Sequence, residues 1–403
     1  MAACMAAGPL LAQAETDPAL VRARRVLRAS PLIDGHNDLP WVIREDTRAP
    51  RDVEAYDLRK RTTGDTDLQR MRSGQVGAQF WSVFIPGEIK DSGYARVQLE
   101  QIDIARRVIE RYPEALSLAT SASDVTAAFR NGRIGSLLGM EGGHAIENSL
   151  GALRSYYRLG VRYMTLTHNV TLDWADAAMD APRHNGLTPF GRDVVREMNR
   201  LGMIVDISHV TPKVMHDVLD VAEAPVMFSH SSARALTDHP RNVPDDVLRR
   251  LQRNGGVVMV TFIPAFVSQS VATWELRLGE LTTGKPADEA ARLRAEYARA
   301  TPKPVATLKD VADHIDHVRK MAGVNHVGIG SDFWGDPDMP TGLEDASRFP
   351  YLFAELIRRG WSDADLAKLA GGNMLRVMRG AEVSAARIQR QRPASTATFE
   401  KRH

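Results

Sequence analysis

Four histidines and three carboxylates stand out because each closes, or closely follows, a short apolar run. His36 and Asp38 come from Ile33-Asp34-Gly35-His36-Asn37-Asp38, Glu141 from Gly139-Met140-Glu141-Gly142-Gly143-His144, and His168 from Thr165-Leu166-Thr167-His168-Asn169. His209 ends Asp206-Ile207-Ser208-His209, His230 sits in Phe228-Ser229-His230-Ser231-Ser232, and Asp332 ends Gly328-Ile329-Gly330-Ser331-Asp332. Imidazole and carboxylate are the ligands left to a divalent transition metal when thiolate is missing. The single cysteine, Cys4, excludes both a Cys-ligated zinc and a disulfide framework. Spelling alone decides little. His314-Ile315-Asp316 repeats the His-x-Asp pattern inside a helical stretch, where it reads as a solvated or core-edge face. Taken singly, His168, His209 and His230 read more readily as hydrogen-bonded structural histidines than as ligands. Position separates the readings: seven such groups gathered at one place are costly to bury unless a cation neutralises the acids. Asp34 and Asp206 lie within the apolar runs and are expected as buried partners of ligand histidines. His144, His216 and His239 fall elsewhere and read as structural or supporting groups.

Covalent catalysis has no comparable support. No Gly-x-Ser-x-Gly elbow occurs, and Cys4 stands in an apolar N-terminal segment. The glycines from Gly139 to Gly143 lack a phosphate-loop lysine and the dinucleotide spacing. They fit a backbone that must pass close to Glu141.

The elements that position these groups follow from hydrophobic periodicity. Apolar runs at 32–35, 78–84, 135–140, 163–167, 204–207, 226–229, 257–262 and 327–331 predict eight strands, and helical periodicity at 97–111, 194–203 and 311–321 lies between them. Repeated strand–helix alternation implies parallel strands with right-handed crossovers. Eight units predict a closed (β/α)8 TIM barrel of the metal-dependent hydrolase type, with an open doubly wound sheet as the alternative. In the barrel, all seven groups share one rim, the face where such folds build sites. Two polar excursions, 46–72 after the first strand and 264–304 after the seventh, predict lids, side walls or subunit contacts. No interdomain linker interrupts residues 15–380, which predicts one catalytic domain.

Composition narrows the partners. Lys plus Arg number 52 against 50 Asp plus Glu, with no basic stripe, which argues against nucleic acid. No stretch reaches the roughly 18 apolar residues of a membrane helix. Ala12-Gln13-Ala14 before Glu15 has the small-x-small form of a signal-peptidase site, predicting a cleaved leader over 1–14 and a periplasmic or secreted protein, with a cytoplasmic one as the alternative. The polar stretch 381–403 predicts a flexible tail.

The ordered segments resemble the membrane dipeptidase (renal dipeptidase) family of zinc peptidases, in a bacterial-type member. The resemblance rests on the segments 34–41, 141–144, 166–169, 206–209, 228–233, 241–246, 328–332 and 371–376, which run in the family's order. It implies a TIM barrel with two zinc ions on its rim: His36 and Asp38 on one, His209 and His230 on the other, Glu141 bridging both. It also implies that Asp332 is the acid/base carboxylate, that His168 polarises the substrate carbonyl, and that Arg241 holds the substrate's free carboxylate. The implied reaction is hydrolysis of dipeptides by a metal-bridging hydroxide, extending to a C-terminal D-residue. Two zincs about 3.5–4 Å apart acidify a shared water enough for this near neutral pH, and an arginine fork suits a carboxylate.

Some features depart from the family. Trp334 stands where many relatives carry a second acid, and 260–264 differs from the vertebrate enzymes, so side-chain preference does not carry over. Loss of Cys4 with the leader would leave a homodimer only without a disulfide. The ligand set also serves an amidohydrolase that opens a lactam or another small amide. A metal-binding barrel without catalysis is the reading furthest from an intact set of proton-transfer residues.

Overall fold

Strands buried on both faces need continuous apolar runs rather than alternation, and the runs of this chain meet that requirement. The computed structural model describes residues 17–89 and 93–401; the expected leader, 1–14, lies outside the described residues. The strands are β1 (Leu32–Asn37), β2 (Val76–Ser82), β3 (Leu116–Leu118), β4 (Ile134–Glu141), β5 (Val161–Thr165), β6 (Ile204–Asp206), β7 (Met227–Ser231), β8 (Val257–Val260) and β9 (Val327–Ile329). They pair in the order β2-β1-β9-β8-β7-β6-β5-β4-β3, and a further parallel β2–β4 pairing closes the sheet. Eight strands therefore form a (β/α)8 barrel, and they are the eight expected from the sequence. The additional β3 pairs with the start of β4, Leu116 opposite Ile134. Three residues with a half-exposed end carry no periodic signal, which is why β3 escapes the sequence.

The two ends of the barrel do different things. At the end where strands begin, the segment 371–376 is structural. A Cβ on Gly371 would lie 2.3 Å from the Pro31 carbonyl oxygen, so only glycine lets the chain cross beneath β1. The Asn373 amide donates to the Val324 and Val327 carbonyls at 2.8 Å, and Arg376 donates to that of Asn325 at 2.6 Å. The helix Asn373–Gln391 that follows places Met374, Val377 and Met378 in one buried cluster with Ile33, Phe80, Tyr163, Met227 and Met259 of the strands. This corrects the expected flexible tail from residue 381. The helix runs to Gln391 and buries Ala381, Ala385 and Ile388 at helical spacing. Small alanines among arginines and glutamines gave that stripe little hydrophobic weight. Beyond it, the backbone N–H of Ser395 donates to Glu197 at 3.1 Å and Phe399 packs on Phe190.

The excursion after β1 folds as turns and the short helix Leu68–Ser73. The one after β8 forms the helices Gln269–Thr282 and Ala287–Ala300, joined by Trp274 against Tyr297 at 5.3 Å. Its end is tied to the rim by Lys303, which lies 3.1 Å from both Glu275 and Asp338. For His314 the structure decides between a solvated and a core-edge helix face, in favour of the core. The residue lies in the helix Leu308–Ala322 and is 1% exposed. Its Nδ1 accepts from Ala233 N at 3.0 Å and its Nε2 lies 3.2 Å from the Val267 carbonyl. It is a buried bracket for two rim loops and not a solvated face. No described helix is long and apolar enough to cross a membrane.

Gly371→Ala is expected to lower unfolding free energy by about 1–3 kcal/mol through overpacking against Pro31. Gly279→Ala, in a helix position where the new methyl meets nothing within 4 Å beyond its chain neighbours and its own helix backbone, should raise it by about 0.5–1 kcal/mol. Urea unfolding of both variants checks the pair.

Candidate metal centre

The barrel's other rim is assembled by hydrogen bonds between strand ends. Asp34, inside β1, accepts from the backbone N–H of Ser331 at 2.7 Å and from its hydroxyl at 2.6 Å, while Asp332 N donates to the His36 carbonyl at 3.1 Å. Asp38 N donates to the Phe333 carbonyl at 2.8 Å. Asp34 thus places Asp332 beside His36 through the backbone of β9's loop, rather than by holding an imidazole. Two rim residues, His209 and Asp332, have left-handed backbones at φ 65° and 63°. Such conformations cost about 1–3 kcal/mol without glycine. They persist where surrounding contacts hold a side chain in place.

Proton positions follow from the partners. Asp206 accepts from the Thr165 hydroxyl at 2.5 Å, from the backbone N–H groups of Ser208 and Ser229 at 3.0 and 2.9 Å, and from the Ser229 hydroxyl at 2.5 Å. Having spent its hydrogen on Asp206, the Ser229 oxygen must accept from His230 Nδ1, 2.8 Å away. The Asn169 carbonyl oxygen lies 3.2 Å from His209 Nδ1 and likewise requires its hydrogen. Both imidazoles therefore present a bare Nε2. These two nitrogens lie 2.9 Å apart, and each faces Glu141 Oε1, at 2.9 Å for His209 and 3.2 Å for His230. Three lone pairs converging without a hydrogen between them repel, and a cation resolves the conflict. The donor set fits zinc.

The opposite side of Glu141 repeats the pattern. Its Oε2 lies 3.4 Å from His36 Nε2, which is 3.3 Å from Asp38 and 3.8 Å from Asp332. His36 Nε2 and Asp38 Oδ1 are buried with no hydrogen-bond partner. His36 Nδ1 is held at 2.7 Å by the hydroxyl of Tyr163, whose side chain reaches it from β5. That ring fits only because Gly139, its register partner on β4, has no side chain: a Cβ there would lie 2.0 Å from the phenol.

Electrostatics favour metal-binding states on one side. Burial, with Arg241 and the other imidazoles adding to it, holds His209 and His230 well below the ordinary histidine range, so both are neutral ligands. Burial also pushes Asp332 up to about 8, with Asp38 and Glu141 repelling its charge while His36 and Arg241 oppose the shift. Burial alone would neutralise Glu141, but the His36 imidazole facing its Oε2 opposes this, and the carboxyl lies well below its usual range.

A cavity of about 530 Å³ opens above these groups. It is lined by Asp38, Glu141, His168, His209, His230, Arg241 and Asp332, with His36 fully buried beneath. The structure therefore brings together every residue singled out for metal, proton transfer or substrate. Arg241 is 1% exposed, stacks on Phe266 at 5.2 Å, and donates to the His230 carbonyl at 3.4 Å, while its Nε and Nη1 have no partner. A buried guanidinium so placed awaits an anion. His168 packs against Phe84 and His209 at ring separations of 4.7 and 4.5 Å, and its buried Nδ1 is free of hydrogen bonds.

Sequence reasoning missed three orienting side chains. Asn169 and Ser229 adjoin site histidines, a usable signal, whereas Tyr163 looks like any strand aromatic. His144 bonds the Ile85 carbonyl at 2.9 Å and His216 pairs with Asp246 at 3.0 Å, both outside the cavity, while His239 lines it beside Phe266.

Comparison with known proteins extends from the site to the whole chain. The membrane dipeptidase model (peptidase family M19) matches residues 20–392. Among solved structures, the chain is similar to the probable dipeptidase PvdM from Pseudomonas aeruginosa, at 26% identity and TM-score 0.80 over 91% of this chain and 99% of that one. A metallo peptidase from Rhodobacter sphaeroides, liganded with a phosphinate mimic of the dipeptide L-Ala-D-Ala, shares the fold at 23% identity and TM-score 0.71, over 87% and 99% of the two chains. The match runs from the first described helix, Pro18–Ala29, to the end of the helix Asn373–Gln391, so the whole barrel follows one pattern: the chain belongs to the membrane dipeptidase family of zinc-dependent metallopeptidases.

Proposed function

We propose that the protein hydrolyses dipeptides at a centre for two zinc ions, with His36 and Asp38 on one, His209 and His230 on the other, and Glu141 shared. The observation that carries this reading is the division of Glu141's oxygens, Oε2 towards His36 and Oε1 towards His209 and His230. One ligand set per oxygen suits a pair of cations, where a single ion would need only one side. Bound zinc supplies Lewis acidity and lowers the pKa of water towards neutrality.

The chain's own residues do the rest. Arg241 grips the substrate's terminal carboxylate with the two nitrogens that lack partners, which fixes a peptide ending one residue beyond the scissile bond. His168, beside His209, donates to the carbonyl oxygen as negative charge develops there. Asp332 takes a proton from the attacking water and returns it to the leaving amine. The mimic bound to the Rhodobacter sphaeroides relative supports extending the substrates to a C-terminal D-residue. A lactam or amide without a carboxylate would leave Arg241 buried and unmatched, and an inert binding barrel would have no use for Asp332.

Elemental analysis of the purified protein is expected to find about two zinc ions per chain, and Glu141→Gln should lower the content and abolish turnover; a wild-type content of one overturns the shared-carboxylate centre. Amidating the C-terminus of a good dipeptide, or Arg241→Ala, should reduce kcat/KM by roughly a hundredfold or more. Equal cleavage of amidated and free peptides would remove Arg241 from substrate binding. Asp332→Asn should keep its zinc while kcat falls by about 10²–10⁴-fold; a variant of wild-type rate takes Asp332 out of the proton path.

A further inference from the structure

Trp334 is a large aromatic side chain left 50% exposed, and it lines the catalytic cavity. Its place on the rim is well defined. Asp38 N donates to the Phe333 carbonyl at 2.8 Å, and a Cβ on Gly335 would lie 3.5 Å from Val42. The residues on either side of Trp334 are thus laid against β1's loop and the helix Leu39–Arg44. That helix carries Trp41, which also lines the cavity and meets Phe84 edge-on at 5.0 Å, and Phe84 in turn meets His168 at 4.7 Å. Trp334, Trp41 and Phe84 therefore all line the cavity, on elements that follow β9, β1 and β2, and Phe84 reaches His168. Arg241 and Phe266 come from the loops after β7 and β8.

A dipeptide has two ends. With its carboxylate on Arg241, its C-terminal residue occupies the β7–β8 side. The N-terminal residue must then extend to the other side, where Trp41, Phe84 and Trp334 offer apolar surface. An indole half in water gains most when a ligand covers it, since burial of apolar area is the driving term. We propose that Trp334, with Trp41 and Phe84, forms the subsite for the substrate's N-terminal side chain and selects dipeptides beginning with a bulky apolar residue. This rests on the dipeptidase reading above and adds the substrate class to it.

The test uses the full-length, zinc-loaded enzyme and two peptide series. One varies the first residue (Gly-Ala, Leu-Ala, Phe-Ala), and the other varies the second (Ala-Gly, Ala-Leu, Ala-Phe). Wild type should favour Phe-Ala over Gly-Ala in kcat/KM by about tenfold or more, the scale on which apolar pockets discriminate. Trp334→Ala should collapse that ratio and leave the ratios of the second series in place, and Trp334→Phe should restore most of it. Circular dichroism and zinc content confirm that the variants are folded and loaded. An unchanged first-series ratio in Trp334→Ala overturns the proposal, as does a change confined to the second series. Failure of wild type to cleave any dipeptide would instead overturn the underlying reading, so the two failures are distinguishable.

Discussion

The centre depends on three unprotonated atoms being forced to face one another. His209 and His230 each spend their one ring hydrogen on a fixed acceptor, Asn169 and the Ser229–Asp206 pair, so two bare nitrogens and a carboxylate oxygen meet with no hydrogen to share. Asp206 lies at the root of this arrangement. By capturing the Ser229 hydroxyl, it decides which nitrogen of His230 is protonated, one bond removed from the ring. Metal-binding histidines are commonly oriented through their second nitrogen, and here that orientation is shared among three strands. Such a cluster is unstable by itself, and a cation turns its repulsion into coordination.

The rest of the fold can be understood as paying for that local conflict at the other end of the barrel. Gly371, Asn373 and Arg376 lock the chain against the beginnings of β1, β8 and β9, far from any rim residue. Division of labour between a stabilising face and a chemical face is general in this architecture. It leaves the rim free to hold the left-handed backbones of His209 and Asp332 and the half-matched guanidinium of Arg241.

Much of this was legible in the sequence because closed parallel barrels write strands as apolar runs and put chemistry at their ends. The runs ending near His36, Glu141, His230 and Asp332 correspond to β1, β4, β7 and β9. What could not be read was interaction through space. Tyr163 acts on His36 from across the barrel, and no local pattern distinguishes it from a packing residue. Asp34 was expected to hold a histidine but instead joins two strand ends. His314, read as a solvated or core-edge helix position, is buried because the segments after β7 and β8 cover it. The stretch after residue 381 looked like tail because alanines carry little hydrophobic weight, although their spacing was helical.

The pairing of Gly139 with Tyr163 restricts how this barrel can change over generations. The phenol occupies the volume that any larger residue at 139 would claim, and its oxygen fixes the angle of His36. Enlarging position 139 displaces the ring, and shrinking position 163 strands the imidazole, so neither step is neutral alone. Descendants that alter one must alter the other, and an ancestry of this fold should show the two positions drifting as a linked pair.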